Sequence, residues 1–317
     1  MAHEFEEFHE ELRSVAGDLL AKERSVDWSA IVDAGWTGLE VPEALGGAGA
    51  TFAETAVICE EMGRAASATS YLGSAVLAVG TLKALQPSDI RDRLLADVAS
   101  GAVRVAVVLE SNQFVPDADG ADRILVVADG AVRIAEPTVI PLPVVDETRR
   151  LATVSTDGLE SREALRFDGD PKEEVRRLRD RAAVAVACDS LGISEAMLSA
   201  TVSYVKVRHQ FGRPIGSFQA VKHACADMLV QISVSRQLVG AAVESVALER
   251  CDAAAAMAKS YVCSAAVNVA GKAMQLHGGI GYTWESGIHT YLKRATLNRS
   301  LFGSPAEHRK QLVQRYL

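Results

Sequence analysis

The chain has 317 residues, and 49% of them are hydrophobic, which is enough to bury a large core in two or three compact units. Its formal net charge is -8 at pH 7 and its acidic and basic residues are interspersed, a distribution that argues against nucleic acid as a partner. No apolar run approaches the roughly 20 residues of a membrane span, and the acidic amphipathic opening is unlike a signal peptide, so we expect a cytoplasmic protein without a membrane partner.

The first third of the chain has the apolar spacing of α-helices. From residue 5 to residue 20 apolar side chains recur at intervals of three and four, and the same spacing covers residues 28–34 and 53–62. The loop at residues 42–49, with four glycine or proline positions, separates the last two segments. We predict an N-terminal helical domain over residues 1–104.

Short β-branched runs replace the helical spacing near residue 103. Four of them, split by turns rich in Asp, Gly and Pro, lie at residues 103–110, 122–128, 130–136 and 149–156. They predict a small, reduced β-domain over residues 105–170.

The remainder of the chain is again helical in its spacing. Three long segments, at residues 174–209, 218–250 and 252–277, have the length of helices that pack as an antiparallel bundle, and shorter helices follow to the C-terminus. We predict a C-terminal helical bundle over residues 171–317. The expected fold class is therefore mostly α, with a small β-domain between two helical domains.

The five cysteines are widely spaced, and none has the CxxC or Cys/His spacing of a metal site. Most lie in Ala-, Val- and Leu-rich helical segments, where a free cysteine behaves as a small apolar residue. We therefore predict no metal, and a core position for Cys59, Cys188, Cys225, Cys251 and Cys263.

A distinctive segment, RHQFGRPIGSFQ at residues 208–219, follows the first long helix of the bundle. Here a helix ending in the cation Arg208 meets a Gly/Pro turn, and a second helix is expected to begin after Ser217 as its N-cap. From these residues alone, Arg208 can be either a ligand for an anion or a partner for the negative end of the helix dipole.

The second distinctive segment is QLHGGIGY at residues 275–282, where three glycines within four residues follow the last long helix. Glycines permit backbone N–H groups to approach an anion closely. They can equally form a helix C-cap, and the segment does not have the strand-turn-helix context of a Rossmann site or a P-loop.

Together, in this order and about 60 residues apart, the two segments closely resemble the RxQFGxPIGxFQ and QxxGGxG motifs of the acyl-CoA dehydrogenase family. The sequence at residues 35–49 and the later EEM at residues 60–62 also resemble the family's first helical domain. The likeness covers roughly residues 5–105 and 172–317. It implies a helical domain, a β-domain and a four-helix bundle, with FAD bound between the β-domain of one subunit and the bundle of its neighbour.

The resemblance also assigns residues to the cofactor. In the family, the arginine, glutamine and phenylalanine of the first motif and the glutamine and glycines of the second reach the FAD pyrophosphate and adenosine of a neighbouring subunit. A guanidinium offers a forked donor to phosphate oxygens, which suits such a role. The implied FAD-binding residues of this chain are Arg208, Gln210, Phe211, Gln275, Gly278 and Gly279.

The chain departs from the family where the flavin ring and the catalytic base are held. The TEPxAGSD and WIT segments, which wrap the flavin ring, are missing, since residues 111–116 lead directly to the strand that normally follows WIT. Matching through residues 291–295 puts Phe302 at the position of the catalytic glutamate, and counting back from Arg208 puts Ala182 at the family's other base position. Neither side chain can accept a proton, so we predict no catalytic residue in this chain.

The other ionisable residues have ordinary explanations. His277, beside the glycines, is expected to pack or to bond to the backbone rather than to act as an acid or base. Several glutamates outside the motifs lie at helical surface or terminal spacing, where a carboxylate is usually solvated or caps a helix. These are Glu195, Glu244, Glu249, Glu285 and Glu307.

The chain keeps the motif residues that it would donate to a neighbour's FAD and lacks the segments that its own FAD would need. We therefore predict that it is one subunit of a FAD-dependent acyl-CoA dehydrogenase. Such an enzyme catalyses α,β-dehydrogenation of an acyl-CoA thioester, and this chain alone should be inactive. The resemblance implies a full-length paralogue as partner, in an α2β2 assembly that shares FAD and in which the partner holds most of the acyl-CoA. The chain is similar to shortened subunits of actinobacterial enzymes that degrade sterol side chains, which implies a steroid side-chain CoA as substrate.

Two alternatives remain open. The first is a flavin-free scaffold or regulatory subunit of the same fold, which the retained Arg208, Gln210 and Gln275 argue against. The second is a homomeric enzyme with a rerouted base, which the missing flavin wall disfavours.

Overall fold

The computed structural model describes residues 2–136, 138–156, 163–250 and 253–316. The first hundred residues are helical. Their α-helices are α1 (Ala2–Leu20), α2 (Trp28–Asp33), α3 (Phe52–Ala65), α4 (Val79–Lys83) and α5 (Asp89–Ala99). Short 3₁₀ turns lie at Trp36–Gly38 and Glu43–Leu45, and a π-helical segment, Leu72–Ala78, runs directly into α4. The side chains of Thr51 and Ser88 accept backbone N–H bonds at the starts of α3 and α5, so both helices begin at side-chain caps.

Seven strands follow and form two small sheets. The strands are β1 (Val105–Val108), β2 (Val115–Pro116), β3 (Arg123–Ala128), β4 (Ala131–Ala135), β5 (Val139–Leu142), β6 (Leu151–Val154) and β7 (Ala164–Arg166). The first sheet has the order β1-β3-β4-β7, with β1 and β3 parallel and the other pairs antiparallel. The second sheet has the order β2-β6-β5 and is antiparallel throughout. Every residue of β1 is buried, as expected for a continuous apolar run in a parallel pair.

The rest of the described chain is a helical bundle with a small hairpin. Its helices are α6 (Pro171–Val207), α7 (Gln219–Ala247), α8 (Ala254–His277), α9 (Ile288–Ser300) and α10 (Pro305–Tyr316). Between α6 and α7 the chain forms a hairpin of β8 (His209–Gln210) and β9 (Arg213–Pro214), followed by a 3₁₀ turn, Ile215–Ser217. The carboxylate of Asp170 accepts two backbone N–H bonds, at 3.0 and 3.1 Å, and fixes the start of α6.

α6 is the central helix of the bundle and packs against both α3 and α8. By length and composition it could span a membrane, but 78% of its most apolar stretch is buried inside the protein. No other helix in the described ranges is both long and apolar enough for a span. The apolar character of α6 is therefore that of a core helix covered by its neighbours.

The close packing of α3 on α6 depends on two glycines. A Cβ atom on Gly63 would lie 1.9 Å from the carbonyl oxygen of Asp189, and a Cβ atom on Gly192 would lie 1.9 Å from that of Glu60. Because no side chain tolerates such distances, a larger residue at either position would force the N-terminal helices away from the bundle.

A buried ionic network joins the three parts of the chain. Asp189 of α6 accepts hydrogen bonds from Nη2 and Nε of Arg294 in α9, at 2.6 and 3.0 Å, and from Nη2 of Arg149 at 2.9 Å. Arg294 also donates to the carbonyl oxygen of Ser67 and to the hydroxyl of Thr148, each at 2.8 Å. Burial acts to raise the pKa of Asp189, but the guanidiniums of Arg294 and Arg149 outweigh it and hold that pKa below its usual range.

The predicted fold class is confirmed, and the domain boundaries after residues 104 and 170 stay predictions. The first long helix ends at Val207, earlier than expected, because the next residues pair as β8. The predicted N-cap is wrong: Ser217 lies in the 3₁₀ turn, its hydroxyl has no hydrogen-bond partner within the described chain, and Phe218 takes the N-cap position of α7.

The cysteine prediction is confirmed for three of the five positions. Cys59, Cys188 and Cys263 are buried, where burial raises the pKa of each thiol. Cys225 is only half-buried on α7, so it is not a core residue. Cys251 lies outside the described residues.

Asp117 makes the stability of the fold depend on pH. Its carboxylate is buried and accepts the backbone N–H of Gly73 at 2.7 Å. Burial raises the pKa of Asp117 to about 6, although the Gly73 hydrogen bond and the Arg149 guanidinium oppose the rise. The folded chain therefore holds a proton that an unfolded chain, with a carboxyl pKa of about 3.9, has released. The stability from this group is fully present below about pH 4 and is lost as the pH rises through about 6.

Asp117→Asn should remove this dependence, because the amide keeps an acceptor for Gly73 and does not titrate. On going from about pH 8 to about pH 4.5, we expect the free energy of unfolding of the wild-type chain to rise by about 2 kcal/mol relative to the variant. Urea unfolding of both proteins at each pH measures this double difference. Parallel pH curves for the two proteins would show that the proton is not held in the fold.

Candidate functional site

The two motif segments lie at the same end of the bundle. The ring of Tyr204, in the last turn of α6, stacks on the ring of His277, the last residue of α8, with centroids 4.5 Å apart. The Tyr204 hydroxyl also donates to the carbonyl oxygen of His277 at 3.4 Å. This contact sets the ends of α6 and α8 side by side. Arg208 follows Tyr204 by four residues and Gly278 directly follows His277, so the two motifs begin at neighbouring helix ends.

His277 has the structural role expected from the sequence. It is buried, and its Nδ1 bonds to the carbonyl oxygen of Ala273 at 2.8 Å. One ring face is covered by Tyr204. An imidazole held in this way positions the glycine turn and is not free to act as an acid or base.

The first motif forms a tight hairpin with a strained aromatic residue at its tip. Phe211 and Gly212 make a two-residue loop in which both backbone φ angles are positive, +54° and +78°, the arrangement of a type I′ turn. A bulky residue rarely adopts this conformation, and the ring of Phe211 is 89% exposed. The Phe211 ring meets the ring of Phe218 edge-on, with centroids 6.1 Å apart, and most of its surface remains open to a contact from outside the chain.

Arg208 is the C-cap residue of α6 and lies on the surface. Its backbone N–H bonds to the carbonyl oxygen of Tyr204 at 2.9 Å, and within the described residues its guanidinium makes no ion pair. Gln210 is exposed beside it. Three further cations, on or next to the two motifs, are Lys206, Arg213 and Lys272. This end of the bundle therefore presents positive charge and free donors, which suit an anionic ligand.

The second motif forms an open glycine turn. Gly278 has φ +63° and ψ -143°, a backbone region essentially restricted to glycine. No atom lies within 4 Å of the place where a Cβ of Gly278 or Gly279 would stand, so a ligand can approach the backbone there. The N–H of Gly278 already bonds to the carbonyl oxygens of Gln275 and Met274, which means that this glycine contributes access rather than a free donor. The side chain of Gln275 is exposed and accepts from Lys272 Nζ at 2.8 Å.

These features fit the half of a FAD site that a bundle donates to a neighbouring subunit. A surface guanidinium and an exposed amide flank an unobstructed backbone turn, and an exposed ring lies on the adjacent hairpin. A pyrophosphate needs such donors, and a nucleoside needs such a surface. The six predicted FAD-binding residues all belong to the two segments that the Tyr204–His277 contact brings together.

The two positions matched to the family's base differ in their surroundings. Ala182 is fully buried inside α6. Phe302 lies between α9 and α10, with φ +55°, and lines a mostly apolar cleft of about 420 Å³ together with Leu109, Phe114 and Leu151. The cleft therefore presents two aromatic side chains, Phe114 and Phe302, and no proton acceptor at position 302.

Glu110 is a carboxylate that the sequence analysis missed. It follows β1, and it is the one acidic residue among the described residues that line the Phe302 cleft. It also borders an adjoining polar cavity of about 900 Å³, and its Oε1 accepts from Arg179 Nε at 2.9 Å. No local pattern marks it, because Glu110 and Phe302 come to line one cleft only in the folded chain.

Four of the five glutamates expected to be solvated or capping are confirmed. Glu244, Glu249 and Glu285 are exposed, and Glu307 accepts the Ser304 N–H at 2.6 Å at the start of α10. Glu195 is the exception, since its side chain is only 10% exposed and is paired with Arg64 of α3 and Arg236 of α7. It ties three helices together, a role that helical spacing alone could not indicate.

Known proteins resemble the chain along nearly its whole length. Residues 1–102 match the family profile described as acyl-CoA dehydrogenase, N-terminal domain, and residues 178–317 match the corresponding C-terminal domain. Acyl-CoA dehydrogenase IpdE2 of Mycobacterium tuberculosis is 36% identical over 298 residues, which cover 92% of this chain and 88% of that protein. Acyl-CoA dehydrogenase FadE28 of the same organism is 30% identical over 324 residues, which cover 92% of each.

Solved structures also share the fold over nearly the whole chain. A variant of the Tcur3481-Tcur3483 steroid ACAD is 25% identical, with a TM-score of 0.86 and 97% of each chain covered. The ChsE4-ChsE5 complex of Mycobacterium tuberculosis is 23% identical, with a TM-score of 0.84 and coverage of 97% of this chain and 96% of that chain. The matched domains and the curated relatives show that this chain belongs to the acyl-CoA dehydrogenase family.

Proposed function

We propose that this chain is the subunit of a heteromeric FAD-dependent acyl-CoA dehydrogenase that donates FAD contacts but carries no catalytic base. One combination of features carries the proposal. The chain has an exposed bundle end that could contact FAD, and it has Phe302, which cannot accept a proton, at the family's base position. The partner is a full-length paralogue that supplies the glutamate and holds most of the acyl-CoA. The assembly is an α2β2 heterotetramer in the cytoplasm.

The residues of this chain act by binding and orienting. FAD, when bound, supplies the hydride acceptor for α,β-dehydrogenation of the thioester. The Arg208 guanidinium would hold the pyrophosphate, to which it can offer a forked pair of donors, and the amides of Gln210 and Gln275 would add neutral donors. Phe211 would cover part of the nucleoside, and Gly278 and Gly279 would let the cofactor approach the backbone. Proton abstraction and substrate binding remain with the partner.

The nature of the partner and substrate rests on the relatives. Solved proteins that share this fold include one titled a Tcur3481-Tcur3483 steroid ACAD variant and one titled the ChsE4-ChsE5 complex. Each title names two components. By analogy we infer a heteromeric assembly here, and a steroid side-chain CoA as the substrate.

The FAD content of the isolated chain and of the complex tests whether this chain needs its partner to hold the cofactor. Purified alone, this chain should contain little or no FAD, because the Phe302 cleft has no flavin-wrapping segments and the cofactor would be held by one edge only. Co-purified with the paralogue encoded nearest to it, the complex should contain about one FAD per heterodimer. The visible flavin absorbance relative to protein measures both. A stoichiometric yellow protein from the isolated chain would contradict the proposal.

The turnover of a Glu110→Gln variant distinguishes the heteromeric enzyme from a homomeric enzyme with a rerouted base. If the base belongs to the partner, Glu110→Gln in the assembled enzyme should change turnover by less than about threefold, since the residue is paired with Arg179 and is not reacting. A general base contributes about 10²–10⁴-fold, so a loss of that size would identify Glu110 as the base instead. Glu136→Gln, which alters an exposed carboxylate paired with Arg123, is the matched control.

The flavin-free scaffold is disfavoured by the hairpin tip. A subunit that serves only assembly has no use for a phenylalanine held at positive φ and 89% exposed, where Asn or Gly would relieve the strain. An exposed Phe211 beside an Arg208 that makes no ion pair among the described residues is expected when a cofactor covers both.

A further inference from the structure

A second polar cavity, of about 550 Å³, lies where the N-terminal helices, the sheets and the start of α9 meet. Three arginines line it: Arg24 from the α1–α2 loop, Arg104 just before β1, and Arg150 just before β6. Its volume is within the range of pockets that hold small ligands, about 300–1,000 Å³. None of its lining residues belongs to the proposed FAD contacts.

Two arginines of this cavity, Arg104 and Arg150, are close together, and the third, Arg24, donates to the hydroxyl of Thr290 at 3.1 Å on the cavity wall. Nη1 of Arg104 and Nη1 of Arg150 each lie 3.8 Å from the point where a Cβ of Gly120 would stand. Arg104 faces Asp122, with Nε and Oδ2 3.8 Å apart. Arg24 and Arg150 have no carboxylate within 4.0 Å among the described residues. In a chain of net charge -8, neighbouring guanidiniums that face so few carboxylates retain positive charge that an anion bound between them would neutralise.

The acidic residues of the cavity do not cancel this charge. Glu147 is directed to Lys293, with Oε1 and Nζ 3.9 Å apart. Asp27 precedes α2 without a side-chain capping bond, and it forms no ion pair with the cavity arginines in the described part of the chain. The lining therefore carries three guanidiniums against the two carboxylates of Asp27 and Glu147.

One wall of the cavity is aromatic. The indole of Trp284 is 69% exposed and is held edge-on by the ring of His289, with centroids 4.7 Å apart. Both ring nitrogens of His289 are shielded from solvent and have no hydrogen-bond partner within the described chain. An unpartnered buried polar group is costly, and a ligand in this cavity could satisfy it. Nζ of Lys293 lies over the Trp284 ring, 5.0 Å from its centre, and the exposed remainder of the indole offers a stacking surface for a planar ring.

We propose that this cavity binds a phosphorylated small molecule that carries a planar ring, with the phosphate on Arg24, Arg104 and Arg150 and the ring on Trp284. The proposal is independent of the proposed function, because it uses neither the two motifs nor the Phe302 cleft. A ligand in this position would contact all three parts of the chain at once. Its binding would therefore also raise the melting temperature of the protein.

Calorimetric titration of the full chain with AMP, inorganic phosphate and adenosine tests the proposal. AMP should bind at least about tenfold more tightly than either of the other two, because only AMP engages both the arginines and the indole. Arg150→Gln should weaken AMP binding by about 10–100-fold, the effect of losing a charge-assisted contact. Trp284→Ala should reduce AMP affinity to that of phosphate. Arg150 is exposed and has no ion-pair partner in the described ranges, so its variant is expected to fold, and Arg24→Gln provides a second removal of charge.

Arg93→Gln is the matched control, since Arg93 is an exposed arginine of α5 outside the cavity; it should leave AMP binding unchanged. The proposal is overturned if AMP does not bind, if Arg150→Gln and Arg93→Gln have equal effects, or if phosphate binds as tightly as AMP. It is also overturned if AMP binding depends on Arg208 and not on Arg150, because the nucleotide would then occupy the proposed FAD edge.

Discussion

Arg208→Ala should lower the FAD affinity of the assembled heteromer by about one to two orders of magnitude, because a charge-assisted bond to a phosphate contributes roughly 1.5–3 kcal/mol. The same change should leave the melting temperature of the flavin-free complex nearly unaltered. Arg208 is exposed, makes no ion pair within the described residues, and as a helix-terminal cation stabilises the helix by only about 0.3–1 kcal/mol. Flavin titration and a thermal melt of the flavin-free protein measure the two effects separately.

Two variants control for general charge and for geometry. Lys206→Ala removes an exposed cation from the last turn of the same helix, and it should change FAD affinity by less than about threefold. Arg208→Lys restores the charge without the fork and should recover part of the loss. If Arg208 is only a cap for the dipole, the results reverse: the flavin-free complex melts at a lower temperature and FAD affinity stays the same.

The helices of this protein could be predicted from the sequence because each buries a continuous apolar face. α3, α7 and α8 lie within a few residues of the predicted segments. The strands β2, β5 and β7 were not predicted, since each has only two to four residues and an exposed or turn-like composition. Their pairing with distant strands, and not their own pattern, makes them strands.

The candidate site could be predicted only in part, for a similar reason. The family motifs identify Arg208, Gln275 and their neighbours, but the contact that unites them, Tyr204 on His277, joins residues 73 apart in the sequence. Glu110 and Phe302 lie further apart still, and nothing local marks them as neighbours. Side chains whose importance comes from tertiary packing carry no periodic signal.

Arg294→Leu should destabilise the whole fold by about 3–5 kcal/mol, because it leaves a buried carboxylate with an incomplete set of partners. Arg294 is 1% exposed and donates to Asp189 of α6, to Ser67 after α3 and to Thr148 before β6. After the substitution, the described partners left to Asp189 are Arg149 and Asn298, and the carbonyl oxygen of Ser67 loses the Arg294 donor. Urea unfolding at neutral pH measures the loss.

Three further variants test whether the loss of stability comes from the buried ionic network. Arg299→Leu, on the exposed face of the same helix, should change stability by no more than about 0.5 kcal/mol. Arg294→Lys should cost nearly as much as leucine, because an ammonium cannot reach three differently placed acceptors with the fixed fork of a guanidinium. Replacing Asp189 and Arg294 together by leucine should cost less than the sum of the single changes, since no unpaired charge remains between them. An Arg294→Leu chain that unfolds within about 1 kcal/mol of wild type would show that the network does not hold the three parts together, and that the apolar contacts of α6 with α3 and α8 suffice.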